Sequence, residues 1–322
     1  MKVTVLYNLP GTSSTTEIAE ADNDTQISAI GIFEELKKLG YQAEILGISQ
    51  NEIKKLKNLK TDLVFNLIEW SGRESKDGTK VLEILEKANI KYTGSPAWGY
   101  RLSCNKILMK KRLDEEKIST PKWQIFKTGK EKITLPYPII VKPSSEHCAI
   151  GVSQTSVCDD EKSVRVKILE LIHLYKQPVL GEEFIEGLEA HVTVLQKNGK
   201  AWVLPPAVIK FLNHQGFHHI LTYESKWQND NWESKFAKWD ELKLSDNILR
   251  KIEKLAKKTN DKLGGRSYAR IDMRIRDDEV FVLEINNNPG IDFDPDSGIA
   301  YSAKKAGLTW DSLLKNIVEE AL

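Results

Sequence analysis

The stretch from Tyr268 to Gly290, YARIDMRIRDDEVFVLEINNNPG, constrains the fold of this 322-residue chain more than any other segment. Two runs rich in β-branched and aromatic residues, YARIDMRI and EVFVLEIN, flank the polar pair Asp277 and Asp278. Runs of this kind separated by a short polar turn are typical of a β-hairpin. The sequence therefore predicts a two-stranded platform whose side chains alternate between two faces.

One face of this platform is predicted to carry a metal site. Glu284 and Asn286 are two residues apart on one strand, and Asp272 on the partner strand can lie opposite them. Two carboxylates and an amide oxygen suit Mg²⁺, which takes its remaining ligands from water and phosphates. The alternative is that these are solvated acids on an exposed strand face, because charged residues are rarely buried.

Two lysines precede the hairpin in segments that favour phosphate binding. Lys106 opens the helix-like run NKILMK, and Lys142 ends the apolar strand PIIVKP. The following turn, PSSEHCAIGV, contains serines and a glycine, so its backbone N–H groups can cradle phosphate oxygens while the lysines neutralise their charge. The alternative for Lys142 is that its ammonium group reaches solvent at the strand end.

Together these segments resemble the ATP-grasp active site of the D-alanine D-alanine ligase family, which carries Arg-x-Asp followed by Glu-x-Asn, two residues, Pro and Gly. Further blocks match in the same order along nearly the whole chain: VFNLIEWSGRESKDGTKVLEIL, YTGSPAWGYRLSCNKILMKKRL, YPIIVKPSSEHCAIGVSQ, VLGEEFIEGLEAHVTVL and YESKW. The resemblance implies an α/β fold of three-domain ATP-grasp architecture. An N-terminal Rossmann-like (pre-ATP-grasp) substrate domain at 1–96 is followed by two α+β ATP-grasp lobes at 97–178 and 179–322.

The resemblance also assigns a nucleotide site, with ATP and one or two Mg²⁺ ions as cofactors and Mn²⁺ as a substitute. Its expected residues are Lys106 and Lys142 at the phosphates and adenine edge, Glu182, Glu183, Phe184 and Ile185 around adenine, Glu189 at the ribose, and Lys226 at the γ-phosphate. Lys226 lies on a loop expected to close and exclude water from an acyl phosphate. The alternatives are an acidic loop after an edge strand for VLGEEFIEG and an ordinary exposed lysine for Lys226.

Catalysis in the family needs donors for a tetrahedral oxyanion, and the resemblance assigns them to Arg270 and the backbone N–H of Gly290. Two positions of the catalytic network depart from the family pattern. Cys148 stands where the family has a serine, and Trp227 replaces a tyrosine after Lys226. A thiol is a weak donor, and the phosphate loop also loses a glycine.

The substrate positions depart further. Asp24 is nearest to a family glutamate that holds the first amino group, and Glu69 replaces a histidine. Pro295 and Asp296 replace a serine and a leucine that receive the acceptor's carboxylate. The aspartates at the acceptor position are Asp292, Asp294 and Asp296. Because like charges repel, they favour a cationic acceptor or one whose carboxylate is masked.

Composition agrees with an enzyme of two or three domains acting on small molecules. Lys and Arg number 47 against 46 Asp and Glu, with no basic block that would indicate nucleic-acid binding. No apolar run approaches a membrane span, and the chain starts with a strand-like MKVTVLY, so a cytoplasmic protein is expected. Cys104, Cys148 and Cys158 are expected to be reduced thiols.

Three functional hypotheses follow. The first is an ATP-dependent carboxylate-amine ligase that forms a peptide-type bond through an acyl phosphate and has a divergent acceptor pocket. The second is an authentic D-alanine D-alanine ligase of cell-wall synthesis. The third is an ATP-binding regulatory protein without ligation, against which the retained metal triad and Arg270 argue. The expected partners are small carboxylates and amines. The family resemblance implies that these are amino acids or their derivatives, and it also implies a homodimer.

Overall fold

The computed structural model describes residues 1–11, 16–70, 72–228, 232–235, 237–240, 244–291 and 297–322. Within these ranges the chain forms three β-sheets and nine α-helices. None of the described helices combines the length and the apolar character that crossing a membrane requires. The α/β class that the sequence predicts is confirmed.

The first sheet is parallel, with the strand order β2-β1-β3-β4. Its elements are β1 (Lys2–Asn8), α1 (Thr16–Lys38), β2 (Gln42–Ile48), β3 (Leu63–Leu67), α2 (Ser75–Lys87) and β4 (Lys91–Tyr92). Helix α1 packs on one face of the sheet and α2 on the other, as the alternation of strands and helices predicts. The spacing of Ile27, Ile30, Phe33 and Leu36 predicts a helix from Thr25 to Leu39. Helix α1 begins earlier, at Thr16, because its first turns are polar and lack this apolar periodicity.

Two helices lead into the second sheet, α3 (Ala97–Ser103) and α4 (Lys106–Glu115). The apolar pattern of the sequence predicts one amphipathic helix from Ala97 to Glu116, and this prediction is wrong. Asn105 has extended backbone angles, and its side chain accepts a hydrogen bond from the Leu108 amide at 3.0 Å, which starts a new helix. Because Asn105 is the N-cap, the next residue, Lys106, lies in the first turn of α4.

The second sheet has the order β5-β8-β6-β7 and is antiparallel. Its elements are β5 (Trp123–Phe126), β6 (Ile139–Pro143), β7 (Val157–Cys158), α5 (Glu161–Tyr175) and β8 (Val179–Glu183). Val164, Ile168 and Leu171 of α5 pack into the core of this sheet. Strand β8 is therefore an interior strand, flanked by β5 and β6.

The third sheet is antiparallel and has the order β12-β11-β9-β13-β14, with β10 paired to β9. Its strands are β9 (Leu188–Lys197), β10 (Lys200–Val203), β11 (Ala207–Phe211), β12 (Ala237–Asp240), β13 (Tyr268–Arg276) and β14 (Glu279–Asn286). The segment AWVLPPAVI, predicted as one strand, forms parts of β10 and β11, because consecutive prolines lack the N–H groups that a ladder needs.

Four more helices belong to this part of the chain: α6 (Tyr223–Trp227), α7 (Asp246–Lys262), α8 (Gly298–Lys305) and α9 (Trp310–Glu319). Helix α7 packs with α4 against one face of the third sheet through an apolar cluster that includes Ile252 and Met109. The opposite face of the sheet bears charged side chains and lines a cavity. The polar stretch from Asn213 to Trp239 is the longest segment that the sequence predicts to be mobile. Its described residues include α6 and the start of β12.

Candidate active site

The predicted hairpin is present, formed by β13 and β14. Asp272 lies directly opposite Glu284, and Arg270 lies opposite Asn286. The register shifts by one residue between Asp272 and Met273, which marks a β-bulge. Cross-strand neighbours have Cβ atoms about 5 Å apart, so the polar side chains of the two strands converge on one face.

Asp272 is the centre of a hydrogen-bonded group on this face. Arg270 donates from Nε to Asp272 Oδ1 at 2.7 Å and from Nη2 to Oδ2 at 2.9 Å, and Asn286 Nδ2 donates to Oδ2 at 3.1 Å. Burial raises the pKa of Asp272, but the Arg270 charge, His191 and the Arg270 hydrogen bonds together outweigh it, so the pKa is lowered. Asp272 is therefore an anion with a fixed orientation.

Lys106 and Lys142 keep the Glu284 carboxyl group in its charged form. Lys106 Nζ lies 3.3 Å from Glu284 Oε2 and donates to the Glu146 carbonyl at 2.7 Å. Burial raises the pKa of Glu284, but Lys106 and Lys142 lower it to well below its usual value. The carboxylate therefore stays ionised at neutral pH.

The expected metal residues fit a magnesium ion. Two ionised carboxylates, Asp272 and Glu284, share a face with the amide of Asn286, and hard oxygen donors of this kind are what Mg²⁺ prefers. Asp272 is only 6% exposed, so the alternative of solvated acids on an open strand does not hold for it. Among the described residues no group of three or more acidic, histidine or cysteine side chains has metal-binding geometry, and the expected triad contains only two such residues.

Lys142 belongs to a buried charge cluster. At the end of β6 its side chain is 11% exposed and contacts Glu182 Oε2, so it does not extend into solvent. Lys110, which is completely buried, contacts the other oxygen of Glu182 and donates to Thr120 Oγ1 at 2.6 Å. Burial raises the pKa of Glu182, and the two lysines lower it further than burial raises it.

Sequence reasoning missed Lys110. Its position four residues after Lys106 places both lysines on one side of α4, and this spacing could have indicated it.

Glu182 and Glu183 end the interior strand β8, and Phe184 and Ile185 follow it directly, so the alternative of an acidic loop after an edge strand is wrong. Phe184 and Ile185 are 5% and 2% exposed. Phe184 packs with Val157 and Ile220 in an apolar cluster. Glu183 Oε1 lies 3.2 Å from Arg276 Nη1. The segment therefore offers an apolar wall beside charged groups, which suits an adenosine.

Glu189 lies on β9 directly opposite Arg274 of β13. Arg274 Nη2 is 2.8 Å from Glu189 Oε2, and His191 Nε2 is 3.4 Å from Oε1. His191 is also 3.8 Å from Asp272 Oδ1, and its ring packs edge-on against Trp239. Sequence reasoning missed Arg274 and His191, although strand alternation places them on the same faces as Asp272 and Glu189.

The predicted phosphate loop, residues 143–152, has an unusual backbone. Cys148 and Ala149 have φ angles of 57° and 61°, a left-handed conformation that favours glycine. Burial raises the pKa of the Cys148 thiol to about 11, so this thiol is protonated at neutral pH. All three cysteines are free. Burial, together with Lys106, lowers the pKa of His147 to about 4, so this imidazole is neutral.

Helix α6 carries Lys226 and contacts the phosphate loop. Trp227 Nε1 donates to the Cys148 carbonyl at 3.1 Å, and the Tyr223 amide donates to the Val152 carbonyl at 2.9 Å. The Thr222 side chain caps the helix by accepting from the Ser225 amide at 3.0 Å. Trp227 thus contacts the loop through its indole, at the position where the family has a tyrosine hydroxyl.

One cavity of about 550 Å³ joins these groups. All the predicted site residues that the structure describes line it: Asp24, Glu69, Lys106, Lys142, Cys148, Glu182, Glu183, Phe184, Ile185, Glu189, Lys226, Arg270, Asp272, Glu284, Asn286 and Gly290. Residues from all three sheets' parts of the chain therefore meet there. Its walls carry both charged and apolar side chains.

The acceptor segment is partly outside the described residues. Asp292, Asp294, Pro295 and Asp296 lie outside them. Gly290 and Ser297, on either side, both line the cavity. Ser297 Oγ accepts from the Ala300 amide at 3.3 Å and caps α8, whose first turn also lines the cavity.

Ser297 is another site residue that sequence reasoning missed. A serine just before an apolar helical run is an N-cap signal that could have found it.

Comparison with known proteins gives a consistent result. The family model for the D-ala D-ala ligase C-terminus matches residues 111–319. The D-alanine D-alanine ligase of Carboxydothermus hydrogenoformans is 30% identical over 330 residues, which cover 99% of this chain and 97% of that protein.

Solved structures show the same fold. The D-alanine D-alanine ligase of Bacillus anthracis complexed with ATP superposes with a TM-score of 0.74 at 24% identity, covering 100% of this chain and 97% of that one. The VanG D-Ala:D-Ser ligase of Enterococcus faecalis superposes with a TM-score of 0.75 at 20% identity, covering 100% and 99%. The predicted ATP-grasp architecture is therefore confirmed.

Proposed function

Because the chain belongs to the D-alanine D-alanine ligase family, we propose that it joins a small carboxylate to an amine through an acyl phosphate, with ATP as the phosphoryl donor. It is an ATP-dependent ligase that forms C–N bonds. The observation that carries the proposal is the single cavity in which Lys106, Lys142, Arg270 and the hairpin acids converge. An ATP-binding regulatory protein would not need Arg270 beside the acids.

The proposed nucleotide site uses residues of two proposed lobes, 97–178 and 179–322. Adenine would lie against Phe184 and Ile185, which are both buried and line the cavity. Phe184 also belongs to an apolar cluster with Val157 and Ile220. The ribose would contact Glu189. Lys142 and Lys106, one at a strand end and one at a helix start, would contact the phosphates. Helix α6 would place Lys226 over the γ-phosphate from the other side of the cavity.

Asp272, Glu284 and Asn286 would hold Mg²⁺, which offsets the negative charge of the phosphate oxygens during transfer. Lys106 contacts Glu284 at 3.3 Å, so in this site a lysine and a carboxylate already compensate each other beside the phosphates. The side chains and the loop backbone supply positioning. No nucleophile from the protein is needed.

In the first step a carboxylate oxygen of the substrate attacks the γ-phosphorus of ATP. The bond between the γ-phosphorus and the β,γ-bridging oxygen breaks, and ADP leaves. In the second step the amine attacks the acyl carbonyl, the bond to phosphate breaks, and inorganic phosphate and a proton are released. Arg270 and the Gly290 N–H would stabilise the oxyanion between these events. Much of the rate would come from holding both substrates and ATP together.

For the acceptor we propose an amine that is cationic or has a masked carboxylate. The chain between the cavity-lining residues Gly290 and Ser297 carries three aspartates in sequence, and each opposes an anion. One observation favours the second candidate, an authentic D-alanine D-alanine ligase. The N-terminus of α8 opens onto the cavity, and helix N-termini attract carboxylates. The D-Ala:D-Ser ligase that shares this fold indicates that acceptor choice varies on it.

An ADP-release screen over amino acids and amines, singly and in pairs, tests the proposal, with mass spectrometry of the products. We expect ADP, phosphate and an amide in equal amounts for at least one pair. Calorimetry with ATP is the matched binding measurement. ATP binding without ADP release for any pair would support the regulatory protein instead.

A further inference from the structure

Arg274 is the buried cation of the cavity to which neither the sequence nor the proposed mechanism assigns a role. It is 3% exposed and lies on β13, on the face that also carries Arg270 and Asp272. A guanidinium group removed from water to this degree is expected to have its donors occupied. The groups that occupy them indicate what Arg274 does.

Its first contact is the carboxylate at the proposed ribose position. Arg274 and Glu189 are direct cross-strand partners, and Nη2 lies 2.8 Å from Glu189 Oε2. The second oxygen of Glu189 faces His191 Nε2 at 3.4 Å. Both oxygens are therefore fixed in direction before any ligand enters, and each retains a lone pair for a hydroxyl donor.

Its second contact is the hinge between β8 and β9. Arg274 Nη1 donates to the Gly187 carbonyl at 3.1 Å. Gly187 has a φ of 147°, and a Cβ there would lie 2.1 Å from the Ile275 carbonyl oxygen. Only glycine lets the hinge approach β13 this closely, and that approach places the carbonyl within reach of Arg274.

Its third contact is the base of the segment that carries Lys226. Arg274 Nη2 also donates to the His219 carbonyl, a few residues before α6 begins. The guanidinium carbon lies 5.5 Å from the centre of the Phe184 ring and 5.9 Å from that of Phe211. One planar group thus touches the adenine wall, the ribose acid, the hinge and the base of α6.

We propose that Arg274 is a positioning residue that couples recognition of the ribose at Glu189 to the placement of the α6 segment and Lys226. The proposal rests on the nucleotide site described under the proposed function. A ligand that pulls on the Glu189 carboxylate acts on the same guanidinium that holds the His219 carbonyl. ATP should therefore fix the α6 segment more firmly than a nucleotide without ribose hydroxyls.

Affinity for ATP and for 2′,3′-dideoxy-ATP, measured by calorimetry without amino acids, tests the ribose half. Hydrogen bonds to a charged acceptor correspond to roughly tenfold or more in affinity, so the wild type should prefer ATP by about that factor. In Arg274→Met most of this preference should be lost. Arg276→Met is the matched control, since Arg276 is on the same strand but contacts Glu183 at 3.2 Å, and it should keep the ratio.

Trypsin cleavage after Lys226, with and without a non-hydrolysable ATP analogue, tests the coupling half. The analogue should protect this site in the wild type and in Arg276→Met, and should fail to protect it in Arg274→Met. Arg274→Lys keeps the charge near Glu189 but lacks the fork that spans two carbonyls, so it should retain part of the ribose preference and lose the protection.

The outcomes are separable. If Arg274→Met is folded by circular dichroism and retains both the ratio and the protection, the coupling is refuted. If Arg274→Met does not fold, Arg274→Lys decides, and wild-type protection in that variant refutes the proposal. A wild type that fails to bind ATP contradicts the proposed function, whereas normal ligation with an unchanged ratio in the variants contradicts the Arg274 role alone.

Discussion

The cavity has a proposed nucleotide end, around Glu182, Glu189 and Glu284, and a proposed acceptor end, around Gly290 and Ser297, and the two ends carry charge in different ways. At the nucleotide end each acid has a cation of the same chain beside it. Glu182 contacts Lys110 and Lys142, Glu189 contacts Arg274, and Glu284 contacts Lys106. These pairs fix the orientation of every carboxylate before a ligand enters, which is the arrangement that preorganised electrostatic stabilisation requires.

We propose that the acceptor end is richer in acids. Asp24 and Glu69 line the cavity from the first sheet's part of the chain. The sequence between Gly290 and Ser297 also contains Asp292, Asp294 and Asp296, which lie outside the described residues. Arg270 lines the cavity together with Gly290, but its Nε already donates to Asp272 Oδ1 at 2.7 Å. We therefore propose that charges within the protein balance one another at the nucleotide end, whereas the acceptor end selects ligands whose charge completes the balance.

Removing a proposed metal ligand should have the largest effect on the nucleotide end. Glu284→Ala should lower turnover by roughly a thousandfold or more, because the stabilisation of transferring phosphate charge amounts to several kcal/mol. Folding should persist, since the residue lies at a cavity and not in an apolar core. Steady-state ADP release and circular dichroism check both parts. Glu279→Ala, on the exposed start of the same strand, is the control.

Wild-type turnover in Glu284→Ala would rule out the magnesium assignment. A loss of turnover in Glu279→Ala as well would mean that the hairpin itself had been disturbed.

A pair of variants should separate binding from chemistry at the boundary between the two ends. Lys142→Ala should weaken ATP binding by roughly tenfold or more, because a phosphate contact worth at least 1.4 kcal/mol is lost. Arg270→Ala should leave ATP affinity nearly unchanged and lower ligation about a hundredfold, as expected for a donor that acts in the transition state. Calorimetry measures the first effect and ligation kinetics the second.

Equal ATP affinity in wild type and Lys142→Ala would contradict the phosphate role. A parallel loss of affinity in Arg270→Ala would place Arg270 in nucleotide binding.

The hairpin and its cross-strand pairs were predictable because they depend on short-range rules. Alternation put Glu284 and Asn286 on one face, and the polar turn set the pairing that brought Asp272 opposite Glu284. Family spacing then identified Lys142 and Glu182. Where a residue's position follows from its place on a strand or at a strand end, the sequence was sufficient to predict that the residue lies at the cavity.

The partners that fix these residues were not predictable, because they come from distant parts of the chain. Lys110 meets Glu182 only after α4 packs beside the second sheet, and its sequence neighbourhood resembles an ordinary basic helix. Arg274 acquires its contacts from Gly187 and His219, which lie on segments that long-range pairing brings together. The break between α3 and α4 was missed because the capping signal of Asn105 is weaker than the apolar periodicity around it.

Acid should lower the stability of the folded protein through His147, which lies beside the nucleotide end. Its pKa is about 4 in the folded protein against 6.5 as the usual value, because of burial and the nearby Lys106 charge. Between these two values the unfolded chain binds a proton that the folded chain excludes, so the unfolding free energy falls as the pH falls through this window. From pH 7.5 to pH 5 the loss should be about 2 kcal/mol.

Urea unfolding of the ligand-free wild type and of His147→Gln at both pH values isolates this contribution. The glutamine variant should lose about that much less stability, while His173→Gln, at an exposed position on α5, should behave like the wild type. Equal losses in wild type and His147→Gln would show that His147 is free to protonate.

The smallest expected effect concerns the acceptor end. Replacing Pro295 and Asp296 together with serine removes one of the three aspartates between Gly290 and Ser297, and a single charge interaction screened by water is worth about 1 kcal/mol or less. The preference for D-alaninamide over free D-alanine as acceptor should therefore shift toward D-alanine by a few-fold, up to about fivefold. ADP release with D-alanine alone and with D-alanine plus D-alaninamide measures it, and raising the salt concentration should reduce the difference, because exposed charges are screened. If D-alanine alone saturates the wild-type enzyme as well as the pair does, the aspartates do not act on the acceptor, and the N-terminus of α8 becomes the group that receives its carboxylate.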